Sequence, residues 1–447
     1  MVTSSQHTPA AGGGVNVLVA GMKANTTYHM RATVANDDGT TQTDVDHAFT
    51  TGAIPAGVVP EFTVSATNGL TPQAGIELVN SLPTGAFATD LSGNIIWNYS
   101  SPDLQPNLVL YPVKLLPNGH FAFYIAPNSF SPLSAPVPAG TLNVFREVDL
   151  AGNMVRQLTI DELNASLTAA GYNLPLQVFT HDFAVLPNGH YLLMANTFKS
   201  FTGLNGDAGP TNVLGDVVID VDQDFKPVWV WNEFDHLDVN RHPMGFPDWT
   251  HSNAIAFSPD DGNFLVSIRH QNWIVKVDYR DGAGTGNILW KLGEGGDFAL
   301  KGGVDPTDWF YAQHDVNFVS TNTTGLFSIA IMDNGDDRAF PAGVTCGAAG
   351  APQCLYSTAM VMQVDENAKT ASFLFHAEPG LYSSFAGSAR VLANTNVEYN
   401  LAGVGSDAYT FEVTPTVTPQ TVWQMHLTGA NTYRSVRMGS LYPGVQW

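Results

Sequence analysis

The sequence predicts an all-β fold, a six-bladed β-propeller preceded by a partial fibronectin type III-like β-sandwich segment. Three observations lead there. Forty-two glycines and 27 prolines punctuate the 447 residues, and helical periodicity is nearly absent. A strand-opening unit recurs roughly every 65–70 residues, beginning near Tyr111, His181, His251, His314 and Gly387. Between these starts lie strands that end in an aromatic side chain: Trp97, Trp231, Trp290, Phe375 and Trp423.

Residues 1–55 differ from the rest of the chain. "NTTYHMRATV" and a closing "FTTG" alternate as the last strands of a fibronectin type III-like sandwich do, but the segment is too short for a whole one. Residues 56–64, beginning in a proline-bounded stretch, read as linker, and 65–447 as the propeller. Five unit starts account for five blades. The sixth is expected to be split, joining "AGIELVN", "GAFATDL" and "NIIWNY" to the terminal "TYRSVRMGSLYP" and so removing the open sheet edges. Seven blades is the alternative count. "TIDELNASLTAAGYN" at 159–173 is the best helix candidate. The aromatic series reads as core, and the turn histidines His120 and His190, each in "LPNGH", as structural.

Acidic residues outnumber basic ones 40 to 18, for a net charge of −22, which disfavours nucleic acid and anionic membrane as partners. No apolar run reaches the 18 or so residues of a spanning helix. No signal peptide is apparent at the start of the chain. Cys346 and Cys354, in "VTCGAAGAPQC", could close a short disulfide loop suited to an oxidising compartment; two free loop thiols are the alternative.

The first strand of a propeller blade lines the central channel. Histidines at its head in three units, His181, His251 and His314, would therefore gather imidazoles from distant parts of the chain. "MDNGDDR" adds Arg338. Imidazoles and a guanidinium in one poorly solvated channel suit a sulfuryl or phosphoryl group. A neutral imidazole is also a nucleophile or general base near pH 7. Three histidines on three strands could instead bind zinc or iron, although their spacing is a blade period and not a ligand signature.

"DWTHSNAIAFSPDDGNFLVSIRHQNWIVKVD" (248–278), "QHDVNF" (313–318) and "MDNGDDR" (332–338) resemble the bacterial arylsulfate sulfotransferases, in that family's order. The resemblance covers roughly residues 65–447. It implies a six-bladed propeller with an N-terminal β-sandwich, and PAPS-independent sulfuryl transfer from an aryl sulfate to a phenol through a sulfohistidine, with no cofactor and no metal. Carried over by position, His251, His314 and Arg338 are the catalytic matches. Asn253 and Asn334 belong to the same motifs. Together with His181 and Arg269 they are expected to bind substrate, and His270 matches beside Arg269. The family's sulfated histidine precedes a strand reading roughly "FEV". Here the stretch is "GVGSDAYTFEV", and Tyr409 stands in that place. His376 or His426 reaching the channel, another hub histidine, or Tyr409 itself would then carry the sulfuryl group. Trp249, Phe246 and Tyr311 are candidates to sandwich the phenyl ring.

The expected partners are thus small phenols and aryl sulfates, in an extracytoplasmic setting, with a homodimer left open. The rival readings are an aryl sulfate hydrolase and a non-catalytic propeller used in surface binding or adhesion.

Overall fold

A computed structural model describes residue 8 and residues 13–128, 136–206, 209–322, 324–341 and 354–441. Six antiparallel sheets form the blades of a ring, confirming the six-bladed count. Blade 1 is the split one. Its innermost strand, Thr432–Met438, comes from the end of the chain and pairs with Ile76–Ser81, followed by Gly85–Asp90 and Ile95–Tyr99. The innermost strands of blades 2 to 6 are Leu108–Leu115, Leu176–Val185, Ser252–Ser258, His314–Phe318 and Ser388–Val391. These are the five starts expected from the repeat.

Two blades carry an extra outer strand. Ala299–Lys301 runs parallel to the edge of blade 5. Glu61–Ala66 pairs with the fourth strand of blade 6, so the stretch read as linker ends in a propeller strand. Before it, Thr27–Met30 pairs with His47–Thr50, and Thr33–Ala35 with Thr41–Thr43. These residues are mostly exposed, and a fibronectin type III-like sandwich is not shown among the described residues.

Apolar alternation explains how the blades stack. Six hydrophobic clusters each fill one interface: Ile96, Phe121 and Phe123 between blades 1 and 2, Phe145, Phe179 and Leu193 between 2 and 3, and so on round to Val79, Phe87 and Trp423 between 1 and 6. The recurring outer-strand tryptophans are indeed core. Each also donates its indole N–H across to the next blade: Trp97 to the Leu150 carbonyl, Trp231 to Gly286, Trp290 to the Glu366 carboxylate and Trp423 to Leu91. His120 and His190 bond Glu147 and Asp220 at 2.6 and 3.0 Å. The expected helix is present as Ile160–Ala169. Thr159 caps its start, and Glu162 completes a reciprocal capping box.

Candidate active site

Strand alternation decides where the site forms. In an antiparallel blade, the start of the first strand and the turn after the second lie at the same end of the axis. His251 and His314 sit at the first kind of position, and His181 sits mid-strand in Leu176–Val185, where the register shifts between Phe179 and Phe183. Arg269, His270, Asn334 and Asp336 sit at the second, after Asn263–Ile268 in blade 4 and Leu326–Asp333 in blade 5. The two sets converge.

His181 and His251 meet edge to face with ring centroids 4.5 Å apart. His251 stacks on His270 at 4.6 Å. His251 Nδ1 lies 2.5 Å from the Asp248 carboxylate. A carboxylate accepts and does not donate, so Nδ1 carries the proton and Nε2 keeps the lone pair. His270 donates from Nδ1 to the Asp248 carbonyl at 2.7 Å and accepts at Nε2 from Arg269 Nη1 at 2.6 Å. His314 donates from Nδ1 to Asn334 Oδ1 at 2.6 Å, and its Nε2 accepts the Ala386 N–H at 3.2 Å. Asn334 cannot turn, because its amide donates to the Ser383 and Ala386 carbonyls.

Arg269 is the cation of this cluster. Besides His270 it engages the Asp336 carboxylate and the Ser384 carbonyl, and its buried Nε has no hydrogen-bond partner among the described residues. Burial, with the Arg269 charge adding to it, holds His181, His251 and His314 well below the ordinary imidazole range. Burial and the neighbouring His251 bring His270 down to about 3. The four rings are therefore neutral at physiological pH. Burial pushes Asp336 up to about 6 against the pull of Arg269.

Immediately below, one ion network ties all six blades. Arg434 of blade 1 bridges Asp182 and Asp315, each at 3.2 Å, and donates to the Asn253 carbonyl of blade 4. Lys114 of blade 2 reaches Asp182 at 2.5 Å, and Arg390 of blade 6 reaches Asp315 at 3.0 Å. Isolated, each of these buried charges would be costly; together they are paired.

The other expected site residues fall elsewhere. Arg338 is buried in the wall of blade 5. Its guanidinium is held by Asp333 and the Trp309 carbonyl and lies 4.0 Å over the Tyr356 ring. The arginine beside the imidazoles is Arg269. Asn253 lies behind the site, donating to the Gln313 carbonyl of the next blade at 2.7 Å. Tyr409 is two strands out from the axis in blade 6, opposite Leu401 and stacked on His426 at 4.3 Å. The structure does not bring it to the hub. His426 is spent on Asp407, and His376 packs on Phe373 in the outer strand of blade 5. Trp249 and Tyr311 are fully buried core residues, and Phe246 packs on His242. Met244, with its sulfur 3.6 Å from Arg269, and Tyr382, bonded to Asp336, stand nearer the cation. Cys346 lies outside the described residues, and the expected Cys346–Cys354 bond with it. Sequence reasoning missed Asp248. Its signal was its position three residues before His251.

A propeller with an imidazole and guanidinium hub is the scaffold of a group-transfer or binding site for a small anion. The family profile of the arylsulfotransferases (ASST) matches residues 62–434, and the chain belongs to that family. Aryl sulfotransferase activity is the general activity that membership supports. No curated protein matches the sequence. Similar solved structures include TolB from Acinetobacter baumannii (TM-score 0.39, 14% identity, 82% of this chain and 68% of that one). They also include the periplasmic gluconolactonase of Pseudomonas aeruginosa (0.39, 10%, 81% and 99%). A putative 6-phosphogluconolactonase from Bacteroides uniformis is a third (0.40, 8%, 82% and 100%). Among the described residues, no helix is long and apolar enough to cross a membrane.

Proposed function

We propose that the chain transfers a sulfuryl group from an aryl sulfate to a phenol by a ping-pong route, with His251 as the nucleophile. The observation that carries this reading is the Asp248–His251 pair beside Arg269. His251 Nε2 attacks sulfur. The N–S bond forms as the S–O bond to the ring breaks, and the electron pair leaves on the phenolate. The sulfo-imidazole bears a positive ring, which the Asp248 carboxylate stabilises through Nδ1–H. Arg269, with an unspent buried N–H, opposes charge on the sulfuryl oxygens and on the departing phenolate. In the second half-reaction, His314 Nε2 takes the proton of the acceptor phenol, displacing the long bond from Ala386. The phenolate attacks sulfur, the electron pair of the N–S bond returns to His251, and His314 releases its proton to solvent to regain the neutral ring.

Asp248, His251 and His270 could also hold a metal ion, since one ligand atom from each lies within 4.8 Å of the others. The Arg269 guanidinium bonded to His270 favours an anion there instead. Residence outside the cytoplasm, the Cys346–Cys354 bond, and a division into an N-terminal segment and a catalytic propeller that begins with the Glu61–Ala66 strand belong to the same proposal.

Incubation with 4-nitrophenyl sulfate, with and without phenol, tests it. Phenyl sulfate forming in step with nitrophenol is expected. Inorganic sulfate equal to nitrophenol would identify a hydrolase, and no turnover with several acceptors a binding protein.

A further inference from the structure

His251 has a backbone φ of +49°, in the left-handed region that a residue with a Cβ seldom adopts. The left-handed turn breaks the register between the first two strands of blade 4, which shifts between Ser252 and Ala254. Backbone and hydroxyl groups on both sides of His251 must therefore find partners off the sheet. Two carboxyl side chains that the transfer step does not use supply them.

Asp216 lies in the third strand of blade 3, Pro210–Val221. One of its oxygens, Oδ2, accepts from the Thr250 hydroxyl at 2.7 Å and from the Ser252 N–H at 2.8 Å. Its own N–H donates to the Thr250 hydroxyl at 3.0 Å. Glu233, fully buried, accepts from the Ser252 hydroxyl at 2.6 Å. The residues before and after His251 are thus both gripped by carboxyl oxygens. The chain leading into the turn is docked on the same strand, with Leu214 N–H on the Pro247 carbonyl and Trp249 N–H on the Leu214 carbonyl. Asp248 enters this segment too, so one strand of blade 3 fixes both members of the Asp248–His251 pair. Burial pushes both carboxyls upward, Asp216 to about 7 with the Asp248 charge adding to it, and Glu233 well up with the Asp216 charge adding to it. Burial thus favours the protonated form of Glu233, whose Oε2 has no hydrogen-bond partner among the described residues.

We infer that Asp216 and Glu233 are positioning residues that hold the left-handed turn at His251 and so aim its Nε2 at the sulfuryl group. The inference rests on the reading of His251 as nucleophile.

Thr250→Val, Thr250→Ser, Asp216→Asn and Glu233→Gln test it, with kcat and donor KM measured per folded enzyme on 4-nitrophenyl sulfate and phenol. Thr250→Val, Asp216→Asn and Glu233→Gln are expected to lower kcat at least about tenfold, as small misplacements of a reacting group do, with KM within about threefold. Thr250→Ser, which keeps the hydroxyl, is expected to keep wild-type kcat. A lowered melting temperature with unchanged kcat in all three impaired variants would overturn the inference and leave the carboxyls merely structural. If a buried-carboxyl variant does not fold, the Thr250→Val and Thr250→Ser pair still decides the role of Asp216, and Ser252→Ala, expected to lower kcat likewise, decides that of Glu233. His251→Ala with donor alone separates the two readings. A sulfuryl group still gained by that variant means the nucleophile is wrong and the positioning role falls with it. No gain, together with wild-type kcat in Thr250→Val, overturns only the positioning role.

Discussion

Asp248 does for His251 what no other contact in the hub does: it accepts the hydrogen bond from Nδ1–H, which keeps the proton on that nitrogen and leaves the Nε2 lone pair facing the cluster. Asp248→Asn should keep the bond length but can present an N–H where an acceptor is needed, turning the ring to the wrong tautomer. A loss of about 10³–10⁴ in kcat is expected, by analogy with carboxylate–histidine pairs elsewhere. Arg269→Lys removes a planar fork that serves His270, Asp336 and Ser384 at once. A loss of about 10²–10³ in kcat is expected, the size seen on removing one oxyanion donor. The pH dependence follows from burial. Each hub imidazole is held below its ordinary value near 6.5, so the neutral, reactive form survives as pH falls through 6.5 and is lost only at a more acid pH. A kcat/KM profile whose acid limb has its midpoint below pH 6 is expected. A midpoint at or above 6.5 would mean that the reacting ring is solvated.

From its first or second strand, each blade hands a polar group to the next. Asn80 donates to the Leu110 carbonyl, Tyr124 to Asp182, Asn253 to Gln313, Asn317 to Ala389 and Ser388 to Ser435, while Asp182 accepts from the Ile255 N–H. That ring of bonds explains what the sequence made legible. A histidine recurring at blade period and a tryptophan closing each outer strand are periodic features, and periodicity survives without coordinates. The split blade was legible because strand-like segments at the two ends lacked partners. Side-chain direction was not. Arg338 and Arg269 each follow the second strand of a blade, and Asp333 with the Trp309 carbonyl holds Arg338 in the wall. Tyr409 aligned with a family position by letter count, but its strand lies third from the axis. Asp216 and Glu233 lie in blade 3 and act on blade 4, a contact that no spacing rule reaches.

Closure depends on the last described strand, and a buried arginine guards it. Arg437 meets Glu77 at 3.0 Å and Glu412 at 2.9 Å, with Glu398 at 3.6 Å, across blades 1 and 6. Arg437→Met would leave three buried carboxyls without their cation, at a cost of about 3–5 kcal/mol. Denaturant unfolding is expected to show that loss, while the same substitution at Arg280, an exposed side chain paired with Asp278, is expected to leave stability nearly unchanged. With a net charge of −22, the molecule should repel an anionic donor over long range, so kcat/KM for an aryl sulfate is expected to rise with ionic strength. All of these expectations presuppose that the converged imidazoles become sulfated. Intact mass and peptide mapping after exposure to 4-nitrophenyl sulfate alone addresses that step. One added sulfuryl group, mapped to His251 and discharged by phenol, is the expected result. An unmodified protein, or a sulfuryl group on Tyr409 or any residue outside the hub, would contradict it.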